Sequence, residues 1–214
     1  MASTHYYYLV PQLTYLIYGQ PPPMTSEAFR QLAMPLLSEK DAALLDMLGL
    51  DPQPNNLQDE KKDISYAEKI PSCGCQFIDG WWDWERSLRL NLAKHRANKI
   101  RRSDVAIDPP DSPPEAVAAA AKAVQETPLE GEIVIDKARW NAIESMQGTD
   151  LFDRNTVFAY LLKLMILERQ SAFQTETGFT EYKSLYASIL EQSSARTANS
   201  YQDSRSTLSS GEIK

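Results

Sequence analysis

Apolar residues recur every three to four positions along most of the chain, which is the spacing of a buried helix face. The first such pattern predicts a helix after an N-cap at Thr25 or Ser26, and Pro35 ends or kinks it. A second helix is predicted after the N-cap Ser38. The aromatic segment 6–18 precedes this helical hairpin and is predicted to be a short strand or an extended segment laid on the core.

A long helix is predicted from Trp81 to about Arg102, after an irregular segment at 71–80. Its apolar stripe consists of Trp81, Trp84, Leu88, Leu92 and His95. The residues off that stripe are Trp82, Glu85, Arg89 and Arg96. A stripe with polar neighbours is typical of a helix that packs on one side.

Four prolines in residues 104–114 predict a stiff connector between two helical units. The predicted units are residues 1–103 and 115–191. Residues 192–214 contain few apolar side chains, so we expect a disordered tail there. The sequence therefore predicts an all-α protein of two helical units.

The predicted C-terminal unit contains four helical patterns, the last of which is an amphipathic helix with Tyr182, Leu185, Tyr186, Ile189 and Leu190. The Ala-rich stretch that ends at Gln125 has little bulk to bury, and we expect it to pack closely on a neighbour or to be partly exposed. A helix over Lys137–Met146 is predicted next. Residues 156–175 are apolar nearly all round over their first three turns, which is typical of a central core helix.

Composition excludes several classes of function. The chain has a formal net charge of −7 and only 8 glycines, and it contains no phosphate-binding glycine motif. A nucleotide-binding enzyme of the common kinds is therefore not expected. No secretory signal precedes residue 20, and the run Val157–Leu167 is about half the length of a membrane span. We therefore expect a soluble cytoplasmic protein with reduced thiols.

No constellation for catalysis or cofactor binding is evident. Cys73 and Cys75 flank one glycine, but a structural zinc site needs four ligands and only His5 and His95 could add to them. His95 lies on an apolar stripe, where a packed histidine is the simpler interpretation. The sequence predicts no catalytic residue, no metal and no cofactor.

The strongest local anomaly is a basic run in the long helix. Residues 85–102 contain seven arginines and lysines and one acid, so this run carries +6 and the rest of the chain −13. Either these cations pair with acids inside the protein, or they form a docking surface for an acidic partner. Nucleic acid is a weaker third possibility because no recognised binding motif accompanies the run. In the docking hypothesis, the residues that contact the partner are Arg86, Arg89, Arg96, Arg101 and Arg102.

The segment 156–169, followed by Gly178 and a final helix, resembles the C-terminal end of the C-type subunit of the A/V-type rotary ATPases, whose counterpart in eukaryotic V-ATPases is the d-type subunit. The positions that carry this resemblance are Phe158, Tyr160, Lys163, Leu164, Glu168 and Arg169.

The sequence is more similar to a shorter, uncharacterised bacterial family whose genes accompany V-type ATPase genes. Its motifs fall here at Tyr7–Val10, at Thr25–Phe29, at Asp51–Leu57 and at Trp82–Arg96. A last motif falls at Leu129, Glu130, Glu132, Asp136, Arg139 and Trp140.

The resemblance implies a non-catalytic central-stalk adaptor that couples the shaft to the membrane ring in proton or sodium transport. Its partners are then the V-type ATPase shaft and ring subunits, and it is held at the inner face of the plasma membrane through protein contacts, without nucleic acid or a small-molecule substrate. The C-type subunit has about three helical repeats, whereas this chain has room for about two. An assembly factor or regulator of the same complex is the alternative.

Overall fold

The computed structural model describes residues 5–50, 72–101, 109, 111–173, 184–186 and 188. The chain divides into two compact units, residues 1–171 and 172–214. The few described positions of 184–188 are helical. The predicted tail, 192–214, and most of the predicted connector, 104–114, lie outside the described residues.

Most of the described residues are helical. The only β-type backbone pairing among them is an isolated antiparallel bridge between His5 and Asp153. The all-α prediction is confirmed. None of these helices combines the length and apolar character that a lipid bilayer crossing requires. The helices are α1 (Ser26–Ala33), α2 (Glu39–Met47), α3 (Gln76–Lys99), α4 (Pro114–Gln125), α5 (Pro128–Gln147) and α6 (Arg154–Ala172).

Side-chain caps begin the first two helices at the predicted places. Thr25 accepts a hydrogen bond from the Ala28 amide at 3.1 Å, and Ser38 accepts one from the Asp41 amide at 3.2 Å. Pro35 lies in a short 3₁₀ turn directly after α1. These local signals therefore set the helical hairpin as the sequence predicts.

Helix α3 begins five residues earlier than Trp81, and the irregular segment predicted at 71–80 is wrong for residues 76–80. The Asp79 carboxylate reaches back to the Cys73 amide at 2.8 Å and the Ser72 hydroxyl at 2.6 Å. These bonds fix the chain as it enters the helix and lower the pKa of Asp79 despite the opposing effect of burial. Gly80 is an interior residue of α3 and not part of an irregular segment.

Helix α6 is the centre of the hydrophobic core, as its all-round apolar pattern predicts. It is buried from Thr156 to Leu162 without interruption. The core around it includes Phe29 of α1, Trp81 of α3 and Ile143 of α5. The described helices before and after the predicted connector thus share one hydrophobic core.

The N-terminal segment lies on this core, but the predicted strand or extended form is wrong for its first half, because residues 7–9 form a turn and Val10–Gln12 a short 3₁₀ helix. Tyr6 and Leu9 are buried, and the Tyr6 amide donates to the Phe152 carbonyl at 2.6 Å. The Tyr6 hydroxyl donates to the buried Asp41 carboxylate at 2.5 Å. The segment therefore bridges α2 and the turn before α6.

Helices α4 and α5 approach each other closely because small residues face the contact. Gly131 has no room for a side chain, since a Cβ there would lie 2.8 Å from the carbonyl oxygen of Ala123. The Ala-rich stretch therefore packs closely on a neighbouring helix, which is one of the two arrangements that the sequence predicts for it. Its buried residues are Ala116, Ala119, Ala120 and Ala123.

We expect Gly131→Ala to destabilise the protein by about 1–3 kcal/mol, because the new methyl group meets backbone and the helices must separate. Gly80→Ala is the matched control, since its Cβ would meet only the Met146 sulfur, at 3.9 Å. That control should raise stability by about 0.5–1 kcal/mol through better helix propensity. Urea unfolding followed by circular dichroism measures both, and equal effects would contradict the close approach.

Candidate partner-binding surfaces

The basic end of α3 consists of Lys94, Arg96, Lys99 and Arg101. Arg96, Lys99 and Arg101 are exposed, and Lys94 is half-buried. The Lys99 ammonium donates to the carbonyl oxygen of Val124 at 2.6 Å. Lys99 lies at the C-terminal end of α3, and cations are favourable there because that end of a helix carries partial negative charge. This end of the helix therefore presents a positive surface.

Two of the predicted docking arginines are turned toward the protein instead. The Arg86 side chain is only 12% exposed and lies 4.0 Å from the Asp83 carboxylate. Arg89 donates to Glu85 at 2.7 Å and more weakly to the Leu50 carbonyl at 3.4 Å. Arg102 lies outside the described residues. The structure thus leaves Arg96 and Arg101 as the exposed members of the predicted set.

Glu85 is the residue for which the stripe prediction is wrong. The stripe puts it with Trp82 on the polar side of α3, yet both side chains are buried. Packing against α4 and α5 covers α3 on more than one side, so a single stripe underestimates its buried surface. The sequence did contain a sign that Glu85 forms an ion pair. It is the only acid in the basic run, and it lies four residues before Arg89, a spacing that brings the two side chains together on a helix.

Glu85 is held by a two-bond contact with Arg139 of α5. The Arg139 Nε and Nη2 atoms donate to the two Glu85 oxygens at 2.9 and 2.6 Å. Its remaining Nη1 atom donates to Asp136 at 3.0 Å. A planar guanidinium matches a carboxylate in this paired geometry, which is the strongest form of such contacts.

The contacts continue onto α6 and form one chain of alternating charges. Arg169 contacts Glu132 directly and lies 3.8 Å from Asp136. Three cations and three anions therefore balance, and we call this set the ion network. Its members are Arg89, Glu85, Arg139, Asp136, Arg169 and Glu132.

Burial and charge act against each other within the ion network. Burial by itself lowers the pKa of the Arg139 guanidinium, but Glu85 and Asp136 raise it above its ordinary value. Burial raises the pKa of Asp136, and Arg169 and Arg139 oppose that rise only in part. A buried charge of this kind is tolerated because its partners remain in place.

Glu168 and Lys163, two positions of the rotary-ATPase resemblance, also have defined structural partners. Glu168 accepts a hydrogen bond from the Ser26 amide at 2.8 Å, so α6 caps the start of α1. Lys163 donates to Glu144 at 3.3 Å and lies 5.1 Å from the centre of the Trp140 ring. The motif residues of α6 therefore tie it to α1 and α5.

A second surface is apolar and aromatic. Tyr8 and Tyr15 are 86% and 84% exposed. Tyr7 packs between the His5 ring and Phe152, with centroid distances of 5.3 and 5.0 Å. Tyrosine is enriched at protein interfaces, so exposed tyrosines are candidates for a contact with a partner. The aromatic surface consists of Tyr7, Tyr8, Tyr15, Ile17 and Leu151.

A cavity of about 380 Å³ opens beside the aromatic surface. The N-terminal segment forms one wall, and the end of α5, the following turn and α6 form the other. Its lining residues are Val10, Pro11, Leu13, Thr14, Tyr15, Leu16, Gln147, Leu151, Phe152, Thr156, Tyr160 and Lys163.

The two cysteines lie in the turn that leads into α3. Cys75 is fully buried, and Cys73 is half-buried beside Asp79. Burial raises the pKa of the Cys73 thiol to about 11. In the described part of the chain, no group of three or more His, Cys, Asp or Glu is arranged to hold a metal ion.

Comparison with known proteins identifies one family model. It is described as "Protein of unknown function (DUF2764)" and matches residues 115–193, which include α4, α5 and α6. The match covers the α5 and α6 members of the ion network but not its two α3 members, Glu85 and Arg89. No curated protein and no solved structure matches the chain.

We expect Glu85→Gln to lower the free energy of unfolding by about 3–5 kcal/mol, because it removes the charge that balances the buried Arg139 and Arg89 and leaves Arg139 with Asp136 alone. Glu144→Gln is the matched control on α5, since the Glu144 side chain is half exposed where it contacts Lys163. Its effect should stay below about 1 kcal/mol. Urea unfolding measures both, and a loss for Glu85→Gln no larger than that of the control would contradict the role of the network.

We expect the native protein to react slowly with iodoacetamide at pH 8. Cys75 is inaccessible, and the raised pKa of Cys73 leaves roughly 100-fold less thiolate than an ordinary cysteine has. Mass spectrometry of labelled peptides, with urea-unfolded protein as the control, measures the difference. Labelling of Cys73 at the same rate in both states would contradict the raised pKa and the protection by burial.

Proposed function

We propose that this chain is a non-catalytic adaptor of a V/A-type rotary ATPase that couples the shaft to the membrane ring, as the C-type subunit does. One observation carries the proposal. Motifs of both sequence resemblances meet in the ion network: Trp82–Arg96 and Leu129–Trp140 of the shorter family, and Arg169 of the C-type subunit pattern on α6. Motifs so far apart in the sequence thus belong to one structural unit, which supports treating them as a single pattern.

A torque-transmitting adaptor needs a body that does not yield under load. A densely packed helical core has low compressibility and transmits strain. The ion network adds directional bonds among α3, α5 and α6, and such bonds resist sliding of one helix along another because each donor has a fixed acceptor. These properties support a mechanical role that requires no reacting residue.

Docking in this proposal uses the basic end of α3. Arg96 and Arg101 are exposed at a helix end and available to an acidic partner, whereas Arg86 and Arg89 are committed to contacts within the chain. Complementary charge steers association and fixes orientation. The protein then sits at the cytoplasmic face of the plasma membrane through contacts with ring and shaft subunits.

We expect the double variant Arg96→Glu and Arg101→Glu to reduce recovery of ATPase subunits on the order of tenfold at low salt, because it reverses the docking charge. The measurement is an affinity pull-down from detergent-solubilised host membranes with quantitative mass spectrometry. Lys40→Glu with Lys137→Glu is the control, since both lysines are exposed elsewhere and the net charge change is the same.

The copy number in that pull-down separates the alternatives. About one copy per shaft supports a central-stalk role, and a much lower ratio supports an assembly factor of the same complex. A preparation free of ATPase subunits would overturn the proposal. Equal recovery with both double variants would overturn the docking surface while leaving the adaptor intact.

A further inference from the structure

The aromatic surface belongs mainly to a segment of the sequence without charged side chains. Neither Asp, Glu, Lys nor Arg occurs before Glu27, although these residues make up 24% of the chain. Depletion of charge together with enrichment of tyrosine distinguishes the core of a protein interface from ordinary protein surface. The segment therefore has the composition of an interface core, while Tyr8 and Tyr15 are exposed to solvent in the single chain.

The contacts of these side chains show that they surround one opening. Tyr15 and Leu151 both line the cavity, one from the N-terminal segment and the other from the turn before α6. Tyr7 packs on Phe152, which also lines the cavity, with 5.0 Å between the ring centroids. The N-terminal tyrosines and the apolar side chains of the turn thus form a continuous apolar rim.

The area of the aromatic surface matches that of a weak protein interface. An aromatic side chain contributes about 150–250 Å² when it is fully buried. Tyr7 is 58% exposed and Tyr8 and Tyr15 are nearly fully exposed, so the three tyrosines present roughly 350–550 Å². Ile17 and Leu151 add to this area. Weak, reversible complexes bury up to about 600 Å² on each partner.

Charge also limits the kind of partner that this surface fits. At its edge, His5 lies 3.0 Å from Asp150 and Lys163 donates to Glu144 at 3.3 Å, so these groups already have partners within the chain. The aromatic surface itself carries no charge that would select a strongly charged partner. Two copies of a chain with a net charge of −7 repel each other, and an uncharged surface is where they approach at least electrostatic cost.

The surface combines an exposed ring with a recess, which is what a symmetric contact requires. The exposed Tyr15 lies at the rim of the cavity, whose volume is about 380 Å³. Pockets of roughly 300–1,000 Å³ hold whole small molecules, so this recess is large enough for one aromatic ring. An interface on a two-fold axis uses the same patch on both copies, and each patch must therefore supply both shapes.

We propose that the free protein forms a two-fold symmetric dimer through the aromatic surface. Tyrosine side chains of each copy pack into the mouth of the other copy's cavity, and burial of apolar area drives the association. The partner is thus a second copy of this chain. The inference does not rest on the adaptor proposal, because the aromatic surface and the basic end of α3 share no residue.

Analytical ultracentrifugation of the full chain, at concentrations from about 1 to 200 μM, tests the proposal. We expect a reversible monomer–dimer equilibrium with a dissociation constant on the order of micromolar, as for interfaces of small area. A monomer over the whole concentration range overturns the proposal. Growth beyond the dimer also overturns it, since a two-fold contact closes on itself.

Salt separates an apolar contact from a charged one. Raising NaCl from about 50 to 500 mM should preserve or strengthen the dimer, because salt screens the repulsion between two copies of like charge. The +6 run and the −13 remainder of the chain could also attract each other between copies. A dimer of that kind would weaken in high salt, and this result would overturn the contact through the aromatic surface.

Two variants locate the contact on both sides of the cavity. Tyr15→Glu and Leu151→Glu each place an unpaired carboxylate in the interface of both copies, so each should weaken dimerisation at least about tenfold. Both side chains are exposed in the single chain, and circular dichroism checks that the helices are retained. A dimer that persists equally in both variants overturns the proposal.

Ile100→Glu is the matched control, because it makes the same change of charge at an exposed apolar residue. Phe77, at the start of α3, packs on Phe158 near the cavity, with 6.2 Å between ring centroids. Ile100 follows the other end of that helix, roughly 35 Å away. The control should dimerise like the unaltered protein. An equal loss in all three variants would show general charge repulsion and would overturn the defined contact.

Discussion

The buried ion pair between Glu85 and Arg139 is the constraint on which the arrangement of the helices depends. Two charges removed from water are stable only when their geometry is good and every remaining donor and acceptor is satisfied. Here Arg89 forms a second ion pair with Glu85, and Asp136 forms a second ion pair with Arg139. Helices α3 and α5 are therefore fixed in one register, since sliding either helix would break the two-bond contact between Glu85 and Arg139 and leave each of them only the partner on its own helix.

The other contacts extend this constraint to the rest of the helical body. Arg169 connects the network to α6, and the neighbouring Glu168 caps α1. Apolar burial supplies most of the driving force for folding, but it is non-directional and tolerates several packings. The polar contacts select one of them. The basic end of α3, the proposed docking surface, is thus presented in a fixed geometry.

Sequence reasoning predicts the helical class, the caps at Thr25 and Ser38 and the central position of α6, because those features follow from local periodicity and local hydrogen bonds. It fails where tertiary contacts decide. Glu85 reads as a surface residue from its own helix, and only the partner Arg139, 54 positions away, makes its burial possible. The start of α3 is missed because it depends on hydrogen bonds from Ser72 and Cys73 to the Asp79 carboxylate, which apolar periodicity does not show. The cavity is also invisible, since its two walls come from opposite ends of the described chain.

The contact between the N-terminal segment and the turn before α6 has a consequence for how the protein is made. Tyr6 is among the earliest described residues, and the Phe152 carbonyl that it contacts is nearly the last part of the unit to be synthesised. During translation the tyrosine-rich segment must wait, without its native partner, until α6 has left the ribosome. Contacts of such long range slow folding and leave apolar segments open to wrong associations in the meantime. The nascent N-terminal segment is therefore exposed to such associations until the residues around Phe152 have been made.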